Sequence, residues 1–205
     1  TFKNFKLLVR NTSQNTSTSK KRRQFDVYGW LTLTSRGFWK LKGKKLENQK
    51  LIELINNNYL KDEFGRYFFQ NGNQRVFVSL ELAPFVINIA QNNPLILVTH
   101  TKIVIENIDQ VWLDSNMNLM LQFGEIIGSL NDRDTLDLSN HLTNSSGHTM
   151  DSPEFFKESK NHSTVTFEDL FLEYRNKRTK IITFTKKQRA PQLRYINIPK
   201  PIRQK

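Results

Sequence analysis

Side chains able to do chemistry are few in this 205-residue chain, and their spacing suits catalysis poorly. The histidines are His100, His141, His148 and His162. His141 and His148 stand seven apart around a Ser/Gly loop, not at the i, i+4 spacing that puts two imidazoles over one zinc ion. Asp132, Asp134 and Asp137 could offer oxygens to a hard cation. Acids at the start of a helix are equally favoured by its dipole, so no metal and no cofactor is expected. His100 lies between two threonines on an expected strand, where a hydrogen-bonded structural imidazole is the simpler reading than a general base. Asp132-Arg133-Asp134 could pair two carboxylates for a hydrolase, but salt bridges at a helix start account for it as well. Gly128-Ser129 lacks the earlier glycine of a G-x-S-x-G elbow. Neither a G-x-x-x-x-G-K-[ST] loop nor a G-x-G-x-x-G turn is present to cradle a nucleotide phosphate. Zero cysteines excludes disulfides, thiolate zinc and a cysteine nucleophile. No catalytic residue is assigned, and the chain reads as leaning away from an enzyme.

What the sequence does concentrate is positive charge. The net charge is +12, and residues 1–25 carry seven Lys/Arg and residues 174–205 eleven, neither with any acid. The intervening residues carry the other thirteen bases and all nineteen acids. Basic arms on a mildly acidic body suit a polyanion partner. The expected phosphate contacts are Lys20, Lys21, Arg22, Arg23, Arg75, Arg175, Lys177, Arg178, Lys186, Lys187 and Arg189, with RNA favoured over DNA. Low alanine beside abundant Asn, Lys, Ile and Phe also fits an AT-rich coding sequence, which would raise lysine without selection for binding. Arg36-Gly37-Phe38-Trp39-Lys40 and Arg66-Tyr67-Phe68-Phe69 could stack bases on a sheet. They do not match an RNA-recognition-motif signature, and Trp30, Phe69 and Phe77 are expected in the core, with Arg75 exposed. The alternative is a protein- or small-ligand-binding module that uses a sheet edge or a pocket and has no nucleic-acid role.

The elements that must position these residues are mostly strands. Trp30, Leu31 and Leu33 alternate with threonines, and with Phe38–Leu41 they predict a hairpin over 28–42. Leu51, Leu54, Ile55 and Asn58 or Tyr59 share a helical face over 47–59, with Glu47 at its start suiting the dipole. Tyr67–Phe69 and Val76–Leu80 flank Asn71-Gly72, a hairpin signal. Pro84 limits the second strand, and Asn92-Asn93-Pro94 is a break. Short strands are expected at Leu95–Val98, Lys102–Glu106, Gln110–Asp114, Leu119–Phe123 and Lys180–Thr185. Asp132–Leu142 is weakly helical. Residues 143–163 read as a loop. Thr166 would cap a helix whose face is Phe167, Leu170, Phe171 and Tyr174. Prolines 191, 199 and 201 oppose regular structure in the tail.

At 37% hydrophobic residues, the chain falls below the usual ~45–50%, so part of it should lie outside any core. No run of ~18 apolar residues is present to span a membrane, and no stretch has the order of a secretory signal. The expected organisation is a flexible basic arm over 1–25, one β-rich domain over 26–185, and an extended basic tail over 186–205. The fold class is α+β: β-rich, with antiparallel hairpins, two or three short helices and basic extended termini.

Several segments recur in a familiar order. They are Gly29-Trp30-Leu31-Thr32, Gly65-Arg66-Tyr67-Phe68-Phe69-Gln70-Asn71-Gly72, Gln74-Arg75-Val76-Phe77-Val78, Leu80-Glu81 with Pro84-Phe85-Val86, Thr99-His100-Thr101, Trp112-Leu113-Asp114 and Leu119 with Leu121. Over about 28–142 the chain resembles an uncharacterised proteobacterial domain-of-unknown-function family of small proteins. An extension to Arg189-Ala190-Pro191 rests on weaker likeness. The chain departs from that family in its basicity and in Lys102, where glycine is expected. The resemblance implies a bacterial, cytoplasmic setting, and carries no functional residue across.

Overall fold

The computed structural model describes residues 24–150, 152, 169–184 and 194–202. The described residues form two compact units. The first takes 24–34, 38–81 and 195–202, and the second 35–37, 82–150, 152, 169–184 and 194.

The first unit is a six-stranded sheet in the order β3-β2-β1-β6-β5-β4. Its strands are β1 (Phe25–Leu33), β2 (Trp39–Leu41), β3 (Lys44–Lys45), β4 (Tyr59–Lys61), β5 (Tyr67–Asn71) and β6 (Gln74–Leu80). The expected first hairpin forms, with Leu31 opposite Leu41 and Leu33 opposite Trp39. On its other side β1 runs parallel to β6, with a register shift between Val27 and Leu31. Trp30 consequently does not enter the core. It is half-buried, with Lys42 Nζ 3.9 Å above its ring, and Trp39 fills the interior instead. Phe69 and Phe77 are buried as expected. In the β5–β6 hairpin Asn71 still pairs with Gln74, so the turn proper is Gly72-Asn73. Positive φ occurs there only at Gly72 (+57°), the glycine-first form of a two-residue turn.

Helix α1 (Gln49–Asn57) is capped by Asn48, whose side chain accepts from Leu51 N, and not by the charge of Glu47. Its buried residue, Ile55, lies on the expected face, while Tyr59 opens β4. The tail residues 195–202 have no helix or strand, yet they join the first unit through a buried Tyr195 and backbone contacts to Gly65 and Leu80.

The second unit is an eight-stranded sheet in the order β12-β13-β14-β9-β10-β11-β7-β8. It comprises β7 (Phe85–Gln91), β8 (Ile96–Thr99), β9 (Gln110–Asp114), β10 (Leu119–Phe123), β11 (Ile126–Leu130), β12 (Leu142–Thr143), β13 (Phe171–Tyr174) and β14 (Lys177–Phe184). Helix α2 (Thr135–Ser139) follows a 3₁₀ turn at Asp132–Asp134. Alternate residues Val111 and Leu113, Leu119 and Leu121 point to one face. They join Ile87, Leu97, Ile105, Leu172 and Ile181 in a single hydrophobic cluster.

Three expectations are corrected here. Antiparallel hairpins are only part of the architecture, because β1·β6, β7·β11 and β9·β14 pair in parallel and both sheets are mixed. Lys102–Glu106 is not a strand; it touches β8 through a lone Val98–Val104 bridge, and Lys102 sits at φ 68°. The expected helix through Phe171 and Tyr174 is strand β13 over Phe171–Tyr174, because pairing with β14 buries Leu172 and Tyr174 and leaves Glu173 out, a period of two. Thr166 and Phe167 lie outside the described residues. Among the described residues there are two short α-helices, and no helix is long and apolar enough to cross a membrane.

Candidate functional site

The richest cluster of charged and aromatic side chains lies on the first unit's sheet. It begins at the β4–β5 turn, where Asp62 Oδ1 accepts from the backbone N–H of Phe64 (3.0 Å) and of Arg66 (2.9 Å). That turn aims the Asp62 carboxylate at the Arg66 guanidinium, which donates through Nε and lies 2.7 Å away through Nη2. Arg66 Nη1 reaches the Tyr28 hydroxyl (3.3 Å) and the carbonyl of Lys200 (3.1 Å). The Arg66 guanidinium also lies over the Phe77 ring at 4.5 Å, and Phe77 stacks on Tyr28 with centroids 4.6 Å apart and planes within 1°. Buried charge is tolerated only where the hydrogen bonds are made, and Arg66, 5% exposed, makes them.

Arg75 and Asp26 face each other across the parallel β1·β6 register. They form a two-toothed ion pair, Nε to Oδ1 and Nη2 to Oδ2, both 2.8 Å. The hydrogen bond to Asp26 raises the Arg75 pKa above its ordinary value. Desolvation raises the Tyr28 phenol, with Arg66 opposing. These groups, with Glu63, Phe64, Pro201 and Ile202, line a groove of about 600 Å³. Its two arginines face three carboxylates, so the groove is charge-compensated and is not built to attract a polyanion.

The other described candidates lie on the second unit. Arg175, in the β13–β14 turn at φ 53°, pairs with Glu106, and a hydrogen bond to Tyr174 is the main cause of its raised pKa. Lys177 Nζ donates to the carbonyl of Ile108 at 2.6 Å. Arg178 stacks 4.2 Å over Phe171 and donates to Thr143 Oγ1 and to the carbonyls of Asn144 and Ser145. The fold thus gathers Arg175, Lys177 and Arg178 on one hairpin, each with partners inside the protein, while Arg75 belongs to the other unit. Lys20, Lys21, Arg22, Arg23, Lys186, Lys187 and Arg189 lie outside the described residues.

The residues weighed for catalysis are placed structurally. Asp132 accepts a two-toothed bond from Arg36 (2.7–3.0 Å), and this holds its carboxyl below the usual range. Asp134 Oδ2 accepts from Ile89 N at 2.8 Å. Among the described residues no group of three or more His, Asp or Glu is arranged to hold a metal. His100 Nδ1 accepts from Val86 N at 3.2 Å, beside the Phe85 ring. Desolvation lowers its pKa to about 3, so it is a neutral acceptor at ordinary pH. His141 bonds Asn92, and His162 lies outside the described residues.

Sequence reasoning missed Asp26, Tyr28, Asp62, Phe64, Pro201 and Ile202 as neighbours. The available signal was Asp62-Glu-Phe-Gly65-Arg66, where an Asp two residues before a backbone donor marks an Asx turn. Nothing local announces that Lys200 would end beside it.

A family model described as Protein of unknown function (DUF2946) matches residues 23–190. No curated protein matches the chain. Two solved structures are similar to it. A DUF1285 family protein from Shewanella baltica OS155 is 22% identical, with 53% of this chain and 88% of that one covered and a TM-score of 0.40. A DUF1285 family protein from Silicibacter pomeroyi DSS-3 is 14% identical, with 66% and 82% covered and a TM-score of 0.45.

Proposed function

The chain belongs to the family described as Protein of unknown function (DUF2946), and from that premise we propose that it is a non-enzymatic nucleic-acid-binding module that grips RNA through its basic ends. The observation that carries this reading is the division of charge, with seven Lys/Arg in residues 1–25 and eleven in residues 174–205 against no acid in either. Every one of the nineteen carboxylate side chains lies between them. Among the proposed contacts, Arg75, Arg175, Lys177 and Arg178 have internal partners and contribute least. Lys20, Lys21, Arg22, Arg23, Lys186, Lys187 and Arg189 carry the binding. Each phosphate they neutralise releases counterion, so seven contacts to single-stranded RNA give a log–log salt slope of about −5.

The test is fluorescence anisotropy of the full chain with a structured RNA and an unrelated duplex DNA across a salt series. It is repeated on a full-length variant with those seven bases replaced by glutamine. The expected result is a steep salt slope for the native chain and a loss of affinity for both nucleic acids in the variant, with RNA bound more tightly. Equal affinity in the two proteins, or no binding by either, would overturn the proposal.

A further inference from the structure

We infer that the groove of the first unit is a docking site for an extended, basic, proline-containing peptide of a partner protein, and that residues 195–202 of this chain are its resident competitor. The segment has no helix or strand of its own, yet directional bonds hold it. Ile196 N–H donates to the carbonyl of Gly65 (3.0 Å), and Leu80 N–H donates to the carbonyl of Asn197 (2.7 Å). Asn197 Nδ2 returns a bond to the carbonyl of Leu80 (3.2 Å), and Arg66 Nη1 donates to the carbonyl of Lys200 (3.1 Å). Three of these four bonds use only the segment's backbone, so any extended peptide can make them. Selectivity comes from the sealed position of Tyr195, 4% exposed, and from the Asn197 amide.

The sequence of the segment suits this mode. Pro199 and Pro201 set their own φ and push Ile198 and Lys200 toward extended backbone. A strand of this kind loses little freedom on docking, which is how proline-rich ligands bind aromatic-lined grooves. The resident segment also fills the site incompletely. Ile198 and Ile202 remain 66% and 52% exposed, and Phe64 at the groove is 53% exposed. About 600 Å³ remains open beside Pro201 and Ile202, where Tyr28 and Phe64 offer apolar faces and Glu63 a carboxylate. A proline ring and a Lys or Arg side chain are the groups that match those walls. A longer partner peptide replaces the walls that leave with Pro201 and Ile202 and adds contacts to Tyr28, Phe64 and Glu63, which stay with the sheet.

The experiment uses a fluorescein-labelled peptide with the sequence of residues 194–205, titrated against the full-length chain and against full-length Asn197→Ala. A tethered tail competes at an effective concentration of about millimolar. The variant should therefore bind the peptide at least ~10-fold more tightly than the native chain, and a scrambled peptide should bind neither. Phe64→Ala in the variant background should weaken that binding while leaving the circular dichroism unchanged. As a second readout, amide exchange of the native chain should show Ile196 and Leu80 exchanging at least ~10-fold faster than Val78, through local opening of the tail. No saturable binding, equal binding of the scrambled peptide, or exchange of Ile196 and Leu80 only together with Val78 would overturn the inference. So would peptide binding that appears only with dimerisation of the chain by light scattering, which assigns the groove to exchange of tails between copies.

Discussion

Arg66 and Asp62 are nearly sealed from water, with side-chain exposures of 6% and 9%. Removing one member of such a pair strands the other, which typically costs about 3–5 kcal/mol. Urea unfolding of Arg66→Ala should show a loss of that size, whereas Arg36→Ala, whose ion pair with Asp132 is exposed, should leave the midpoint unchanged. His100 supplies a pH-dependent counterpart. The residue as a whole is half-buried, but its ring is desolvated and stays neutral down to about pH 3. In the unfolded chain the same imidazole titrates near 6.5. Between those values the unfolded state holds the extra proton, so stability rises with pH through this window and falls as pH drops below about 6.5. The expected contribution is a slope of about 1.4 kcal/mol per pH unit at its steepest. His100→Gln, which has no proton to gain, should flatten the urea midpoint between pH 6.5 and 3.5. An unchanged profile would mean that carboxylates alone govern the acid limb.

Among the elements, the parallel β7·β11 pairing depends on closeness at one position. A Cβ at Gly128 would stand 2.7 Å from Ile87 Cδ1 and 3.2 Å from the carbonyl of Phe85. The first contact is the movable end of a side chain; the second is backbone of the partner strand, which must shift. Gly128→Ala should destabilise the second unit by about 1–3 kcal/mol, the usual range for overpacking a core. Adding Ile87→Val removes the Cδ1 contact but keeps Cγ1, 2.8 Å from the same point, so it should recover only part of the loss, a coupling that a double-mutant cycle measures directly. A loss that Ile87→Val does not relieve would place the strain at the contacts valine keeps, Ile87 Cγ1 and the Phe85 carbonyl. The β13–β14 hairpin shows how tertiary pairing overrides local period. Phe171 and Tyr174 satisfy helical spacing, but register with Lys180 and Lys177 sets them on opposite faces of a strand.

For the molecule as a whole, the proposed function rests on charge carried at the two ends of the sequence. The seven bases assigned to nucleic-acid binding lie outside the described residues, while the described arginines serve the β-rich units through Asp26, Asp62, Glu106 and the Asn144 carbonyl. Replacing Lys20, Lys21, Arg22, Arg23, Lys186, Lys187 and Arg189 with glutamine should abolish the salt-dependent RNA affinity, and the thermal midpoint of the same variant tells whether those bases also serve the fold. A midpoint that falls with affinity would mean the arms belong to the fold.

Local pattern alone determined Gln110–Asp114 and Leu119–Phe123 as strands, the hairpin around Gly72, and the Leu51–Ile55 helical face. Each of these is written in a run of alternating or 3.6-spaced apolar residues closed by turn residues a few positions away. The same local reading determined the division of charge, which needs no folding to exist. Three things were decided only by the tertiary structure: the parallel pairings of β1 with β6, β7 with β11 and β9 with β14, the strand at Phe171–Tyr174, and the seating of residues 195–202 against Arg66. A backbone N–H carries the same chemistry in every residue, so its sequence neighbourhood does not name a partner 40 or 130 positions away. That partner is selected only when burial of both segments outweighs the entropy of closing the chain between them.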